Sequence, residues 1–345
     1  MENLKIVFLT HISRSGSTLL SKLLDEYDDI CVTTEGEIPL ELFGVKSYSS
    51  MVFLSETSLL LYLNNVINKT RVLSWNIPKN TILELIFQKG FPLKGIELVE
   101  ILLHAYRNKY KPGAKLIIYK ACPFMPWHII ESTSSFPSAK YIHIIRDPRA
   151  VYHSQKTSIN PFLGKPYSSS PLKTAMEWEK AIETTNYNNH QHKILQIKFE
   201  NIVKSPNKSL ENIIQFFSVS TKKDLKSSTT FTDRMVPKDK NLHKKINEKP
   251  DTEKIFNWKN NLNNEEIKKI DFYLNKLLIA NNYEVLVPKK LIPWYDIIFI
   301  NINIKKELII LFFIRIKRLI IRMFFNPKYL LTQIKLKFNG SFAKD

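Results

Sequence analysis

The sequence predicts an α/β fold, a central parallel sheet flanked by helices in three layers, followed by a C-terminal basic amphipathic helical tail. Three observations predict it. Four short, β-branched apolar runs are continuous rather than alternating, as in strands buried on both faces. Helical patterns lie between and around those runs, the alternation of an open α/β sheet. From Pro288 onward the composition shifts to Ile, Leu and Phe interrupted by Lys and Arg.

The first strand is Ile6 to Leu9, and a glycine turn leads from it into a helix over Thr18 to Glu26. A helix over Ile96 to Lys109 precedes the second strand, Leu116 to Tyr119. The third strand, Tyr141 to Ile145, is followed by helices over Arg149 to Lys156 and Leu172 to Asn186, and the fourth, Ile194 to Ile197, by one over Leu210 to Phe217. In such a sheet the ligand sits at the carboxyl ends of the strands. Ser220 to Pro250 is rich in Lys, Ser, Thr and Asp with few apolar anchors, which reads as a mobile basic loop, either a lid or a solvated linker.

The chain divides into a domain over residues 1–287 and a basic amphipathic extension over 288–345. In the extension Lys305, Lys306, Arg315, Lys317, Arg318 and Arg322 break the apolar pattern, so no stretch approaches the ~20 residues of a spanning helix. Arg315, Arg318 and Arg322 share one helical face, which suits a helix lying in a membrane interface. A helix packed on the domain or on a second subunit is the other reading.

At 345 residues and 44% hydrophobic, the chain is long enough for a well-buried core. Its net charge of +19 attracts polyanions of any kind, but aromatics interleaved with the basic residues are not apparent, which disfavours nucleic acid as a partner. Two cysteines, Cys31 and Cys122, cannot build a disulfide framework. The apolar run Leu4 to Thr10 is too short for a signal peptide, so a cytoplasmic chain is expected. No Cys/His pair or H-E-x-x-H string offers metal-ligand spacing, and no metal is expected.

Two segments have the chemistry of anion sites. The first strand runs into His11-Ile12-Ser13-Arg14-Ser15-Gly16-Ser17-Thr18-Leu19-Leu20. Free N–H groups at a helix start, Gly16 for close backbone approach, Arg14 for charge and the Ser17 and Thr18 hydroxyls together suit a phosphate. This is not a Walker A loop, because its spacing and lysine are missing, and an ordinary capped turn would share much of the pattern. The third strand runs into Arg146-Asp147-Pro148-Arg149-Ala150-Val151-Tyr152-His153-Ser154. Asp147 suits a helix cap and Pro148 its first position. Arg146 and Ser154 can then reach one anion, unless Arg146 and Asp147 form only a surface ion pair.

Arg-Ser-Gly-Ser-Thr-Leu-Leu after one strand and Arg-Asp-Pro-Arg-Ala-Val-x-x-Ser after another resemble the paired donor signatures of sulfotransferases that use 3′-phosphoadenosine 5′-phosphosulfate (PAPS). The resemblance extends in outline from Leu4 to Asn282. It implies a P-loop-like three-layer fold, and PAPS as cofactor, leaving adenosine 3′,5′-bisphosphate as product. It implies that Arg14, Ser15, Gly16, Ser17, Thr18 and Leu19 hold the 5′-phosphosulfate, and Arg146 and Ser154 the 3′-phosphate. Lys198-Phe199-Glu200-Asn201-Ile202-Val203 resembles the family's Tyr-Glu-x-Leu segment, with Phe199 in place of tyrosine. Asn257-Trp258-Lys259 resembles its Trp-Lys segment, which adds Trp258 and Lys259 to the cofactor site.

Sulfuryl transfer needs a base for the acceptor and positive charge near the leaving oxygen. Arg14 and Lys120, the latter at a strand end, suit the second task. Glu35, in Thr33-Thr34-Glu35-Gly36-Glu37-Ile38-Pro39, resembles the base segment of protein-tyrosine sulfotransferases, with Thr34 replacing one of their paired glutamates; Glu37 and His11 are the other candidates. Leu40 to Lys111 is expected to wall the pocket of a hydroxyl-bearing acceptor, a glycan or a lipid-linked molecule, with the tail on an anionic membrane. The rival readings are a nucleotide-dependent kinase-like transferase and a basic peripheral membrane or nucleic-acid binding protein without catalysis.

Overall fold

The computed structural model describes residues 4–43, 51–65, 67–123, 125–161, 163–187, 193–223, 230–243, 246–248 and 250–325, with backbone alone at 41, 315, 318, 319 and 321–325. In chain order these form β1 (Lys5–His11), α1 (Ser17–Asp25), β2 (Ile30–Val32), β3 (Val52–Phe53), α2 (Glu56–Asn65), α3 (Lys79–Lys89), β4 (Leu93–Lys94), α4 (Gly95–Tyr110), β5 (Leu116–Lys120), α5 (Ile129–Ser135), β6 (Lys140–Ile145), α6 (Pro148–Thr157), α7 (Pro171–Tyr187), β7 (Ile194–Lys198), α8 (Phe199–Lys204), α9 (Pro206–Phe217), α10 (Pro237–Leu242), α11 (Trp258–Asn261), α12 (Asn264–Ala280) and α13 (Trp294–Phe325).

Five strands form the main sheet in the order β2-β5-β1-β6-β7, and every neighbouring pair is parallel. All carboxyl ends therefore lie on one edge, with Leu9 opposite Lys120 and His11 opposite Ile144. The alternation of side chains along each strand sends Phe8, Tyr119 and Tyr141 to one face, where they meet Phe43 and Phe136. Val7, Leu9, Ile118 and Ile142 go to the other, under Leu20 and Leu24 of α1 and Leu210, Ile213 and Phe217 of α9. Both faces are covered, which is why these strands read as unbroken apolar runs. The sequence reading missed β2 and the small antiparallel β3–β4 pair, because two or three residues are too few to stand out as a run.

The turn after β6 follows its sequence pattern. Asp147 Oδ1 accepts from the Arg149 N–H and Pro148 occupies the first helical position of α6. Below it Arg149 is buried between Asp147, at 2.8 Å, and Asp271, at 3.1 Å, with Trp258 stacked 4.2 Å from the guanidinium. Asp271 also accepts the Leu286 and Val287 N–H groups. The network clamps α6, α11 and α12 together.

One expectation is corrected. The described part of Ser220 to Pro250 is not a mobile loop: it carries α10 and is pinned by Arg234. That side chain is buried, pairs with Asp25, and donates to the Val32 carbonyl at 3.3 Å and the Tyr106 hydroxyl at 3.5 Å. Phe231 and Met235 are buried beside it, and two apolar residues with one buried charge are too sparse to stand out in a polar stretch. Within this stretch, 224–229, 244, 245 and 249 lie outside the described residues.

Helix α13 packs on the domain along part of its length. One stripe faces the domain, with Ile300 buried, Lys268 donating to Asp296 at 2.7 Å and Ser170 donating to Glu307 at 2.8 Å. Its other faces expose Trp294, Phe299, Ile302, Phe312 and Phe313. The side chains of Arg315, Arg318 and Arg322 lie outside the described residues, as does all of 326–345. No described helix is long and apolar enough to cross a membrane.

Candidate active site

A cavity of about 420 Å³ opens where the carboxyl ends of β1, β5 and β6 meet, and both anion motifs line it. At its floor the chain turns from β1 into α1 through two left-handed residues, Arg14 (φ 73°) and Gly16 (φ 95°). Glycine at 16 is required twice: for that backbone conformation, and because a Cβ there would lie 2.2 Å from the Phe199 ring. The backbone thus stands close to the cavity, with the N-terminus of α1 presented to it.

The two motifs touch. Arg14 Nε donates to Ser154 Oγ at 3.1 Å, and Arg146 donates to the Arg14 carbonyl at 3.1 Å. Arg146 stacks over Phe199 at 4.4 Å, and Trp178 fixes its strand end by donating to the Arg146 carbonyl at 2.9 Å. The ring that replaces the family's tyrosine therefore acts by packing, between the Gly16 turn and a guanidinium. Burial pulls Arg14 and Arg146 below the ordinary arginine value, and Arg14 adds to the effect at Arg146. Since arginine stays charged at any working pH, that cost is relieved by an anion. Arg146 Nε is buried with no hydrogen-bond partner among the described residues. The Gly16 cradle and this unpartnered donor fit a phosphorylated or sulfated ligand.

Lys120 stands between this floor and a carboxylate. Its Nζ donates to Thr18 Oγ1 at 2.9 Å and lies 3.5 Å from Glu35 Oε2. The other Glu35 oxygen accepts from Arg71 at 2.8 Å, and Arg71 reaches on to Asp239 of α10. Burial alone would raise the Glu35 carboxyl, but Lys120, Arg71 and His11 hold it below the ordinary glutamate value. Burial pulls Lys120 below the ordinary lysine value, with Glu35 opposing. His11 also lines the cavity; burial lowers its proton affinity, its Nδ1 donates to the Ile12 carbonyl at 3.1 Å, and its Nε2 has no hydrogen-bond partner among the described residues. Glu37 is exposed and does not line the cavity.

Arg14, Gly16, Ser17, Thr18, Leu19, Glu35, Lys120, Arg146 and Ser154 thus share one cavity. Three expected residues are placed elsewhere. Ser15 is buried behind the turn, 1% exposed. Trp258 is buried against Arg149, and Lys259 pairs with Glu284 at 3.1 Å; both line a separate cavity of about 220 Å³. Their position makes the Trp-Lys segment a prop for Arg149 and Asp147 rather than a wall of the anion pocket. Sequence reasoning missed Arg71, Asp239, Tyr167 and His243, all of which line the cavity. His243 Nε2 lies 3.3 Å from Thr18 Oγ1, and burial, with Lys120 and Arg14 nearby, lowers its pKa to about 3. None of the four belongs to a recognisable string. Among the described residues no group of His, Cys, Asp and Glu could hold a metal ion.

A family model described as the sulfotransferase family matches residues 7–223. Protein-tyrosine sulfotransferase 1 of Danio rerio is 24% identical over 223 residues, covering 63% of this chain; the chain spans about half of that relative, 54% of its length. Among solved structures, a sulfotransferase domain from the curacin biosynthetic pathway is similar with a TM-score of 0.53 at 16% identity, covering 82% of this chain and 99% of that one. A sulfotransferase domain from the olefin synthase of Synechococcus PCC 7002 gives 0.52 at 18%, covering 84% and 98%.

Proposed function

Because this chain belongs to the sulfotransferase family, we propose that it moves a sulfuryl group from PAPS to a hydroxyl of an acceptor by in-line displacement. The observation that carries the reading is the physical joining of the two anion motifs, Arg14 to Ser154 and Arg146 to the Arg14 carbonyl. A doubly phosphorylated adenosine needs two such neighbouring sites. A basic binding protein without chemistry would leave both the joined motifs and the buried Glu35–Lys120 pair unexplained.

The turn from Arg14 to Leu19 would hold the 5′ end of the donor, and Arg146 with Ser154 its 3′-phosphate. When bound, PAPS supplies the sulfuryl group and adenosine 3′,5′-bisphosphate is left. Glu35 accepts the acceptor's hydroxyl proton; it is ionised at neutral pH and lines the cavity beside Lys120. Lys120 and Arg14 place fixed positive charge where negative charge develops on the leaving oxygen. Thr18 receives the Lys120 hydrogen bond and so ties the base side of the cavity to the donor side.

The proposed acceptor is a glycan or a lipid-linked molecule, and the proposed location is cytoplasmic, at the inner membrane face. Its support is α13, which carries exposed Trp294, Phe299, Phe312 and Phe313 together with exposed Lys305 and Lys306, a combination suited to an anionic lipid surface. Cys31 and Cys122 are both buried and are not joined in a disulfide, which is compatible with a reducing compartment.

Isothermal titration with adenosine 3′,5′-bisphosphate tests the central claim. Tight binding that needs no magnesium and is lost in Arg146→Ala is the expected result; absence of binding by the intact chain would overturn it. A labelled-donor assay against fractionated cell glycans and lipids then identifies the acceptor.

A further inference from the structure

The cavity holds an ion-paired cluster, two of whose members, Arg71 and Asp239, have no part in the transfer reaction as described above. Arg71 sits in the short 3-10 turn Arg71–Trp75, whose Thr70 cap accepts the Val72 N–H. Its guanidinium is shared between two carboxylates on different elements. One amino group donates to Glu35 Oε1 at 2.8 Å, and the other pairs with Asp239 Oδ2. All three side chains are largely shielded, at 16% exposure for Arg71, 17% for Glu35 and 19% for Asp239, so their charges act on one another with little screening.

We propose that Asp239 is a positioning residue for Glu35: by engaging the far side of Arg71 it limits the positive charge that Arg71 presents to the base. The proposal rests on Glu35 being the base. An arginine given wholly to Glu35 would make a tight two-membered pair and a poor proton acceptor. Shared with Asp239, the same arginine orients Glu35 Oε1 while its charge is partly offset. The other groups facing Glu35 have other tasks or no charge of their own at neutral pH. Lys120 at the end of β5 donates to Thr18 and, 3.5 Å from the other Glu35 oxygen, also holds the base ionised, so the effect of Asp239 is exerted on the Arg71 side of the carboxylate alone. His11 of β1 and His243 after α10 are held neutral by burial. Burial keeps Tyr119 and Tyr167 protonated, and Glu37, on the same segment as Glu35, is exposed. Glu37 also acts on Arg71, but from a solvent-exposed position, so Asp239 is the shielded, directly paired anion placed to modulate Arg71 at this site, and burial raises its own proton affinity against the pull of Arg71.

Because Asp239 belongs to the segment pinned by Arg234 on Asp25, the position of α10 and the state of the base are coupled. When α10 is seated, Arg71 is divided; if α10 moved away, Arg71 would fall wholly to Glu35.

The test is a direct titration of the Glu35 carboxyl in the full chain, followed by its ¹³C resonance and assigned by loss of that signal in Glu35→Gln. Asp239→Asn is expected to lower the Glu35 midpoint by about one pH unit, and Arg71→Met to raise it by a similar amount. Asp239→Glu should restore most of the original midpoint. Adenosine 3′,5′-bisphosphate titration of each variant verifies that the donor pocket is folded. With binding retained, an unmoved midpoint in Asp239→Asn, or shifts of the same sign in both variants, overturns the proposal. If Asp239→Asn abolishes binding, the comparison passes to Asp239→Glu and Arg71→Met, and equal midpoints in those two overturn it. An assay in which Glu35→Gln keeps full turnover would sink the base assignment instead, leaving the electrostatic coupling itself measurable.

Discussion

Arg14 Nε lies 3.1 Å from Ser154 Oγ, a hydrogen bond between side chains 140 residues apart. It spans the two sequence segments that resemble donor signatures, and the parallel neighbours β1 and β6 make it possible by ending on one edge. Arg146, one residue past β6, then reaches back to the Arg14 carbonyl. The two segments thereby line one cavity, together with the cationic side chains of Arg14, Arg71, Lys120, Arg146 and Lys254.

Gly16→Ala is expected to damage the pocket while sparing the sheet. The new methyl meets the Phe199 ring at 2.2 Å in a backbone conformation with φ 95°, which costs about 1–3 kcal/mol in strain. Product binding should fall at least tenfold, with a modest fall in melting temperature. Phe199→Ala on the same background should recover only part of the loss, because the clash is relieved and the dihedral strain is not. Full recovery would show that the glycine is needed for space alone.

Removing Asp271 should be among the most destabilising single changes. Arg149 and Asp271 are 1% and 0% exposed at their side chains, and Asp271→Ala leaves a buried guanidinium with Asp147 as its remaining ion partner. Denaturant unfolding should show a loss of about 3 kcal/mol or more. A loss below about 1 kcal/mol would mean that this network is solvated.

Stability should fall as pH drops from about 6.5 toward 3, partly because of His143. That ring is buried in β6, its Nδ1 lies 3.0 Å from Thr10 Oγ1, and burial lowers its pKa from 6.5 to about 3. Below 6.5 the unfolded chain binds a proton that the folded chain refuses, so the contribution is intact above that pH. It is lost on descent at up to about 1.4 kcal/mol per pH unit. His143→Gln should flatten the slope of unfolding free energy against pH across that window; an unchanged slope would remove His143 from the account.

The exposed side of α13 is expected to bind anionic vesicles. Phe312→Ser with Phe313→Ser should reduce sedimentation with phosphatidylserine-containing vesicles severalfold, and Lys305→Glu with Lys306→Glu should do so most at low salt. Neither pair faces the donor pocket, so product binding should be unchanged. Vesicle binding equal to that of the unmodified chain in both would assign this surface to a protein partner or to none.

The legible features share a property. β1, β5 and β6 could be located because burial on both faces forces uninterrupted apolar runs, and α6 because Asp147 and Pro148 are local capping residues. Arg14, Gly16 and Arg146 stood at strand ends, where local pattern suffices. Arg71, Asp239 and His243 carried no such mark, since an isolated polar residue in a turn or a short helix reads as solvated until something folds over it. Trp258 failed in the opposite direction: a motif resemblance placed it at the donor, while packing placed it under Arg149.

The four longer strands, the two strand-to-helix turns with their glycine and arginine residues, and the candidate base were therefore written in the sequence by itself, because hydrophobic periodicity, glycine and helix capping act over a few residues. Which charges share the cavity was decided only by the tertiary structure. Ion pairs such as Arg71 with Glu35 and Asp239, or Arg234 with Asp25, depend on side chains separated by tens to hundreds of residues being desolvated together, and the strength of a charge pair is set by that shared burial rather than by sequence.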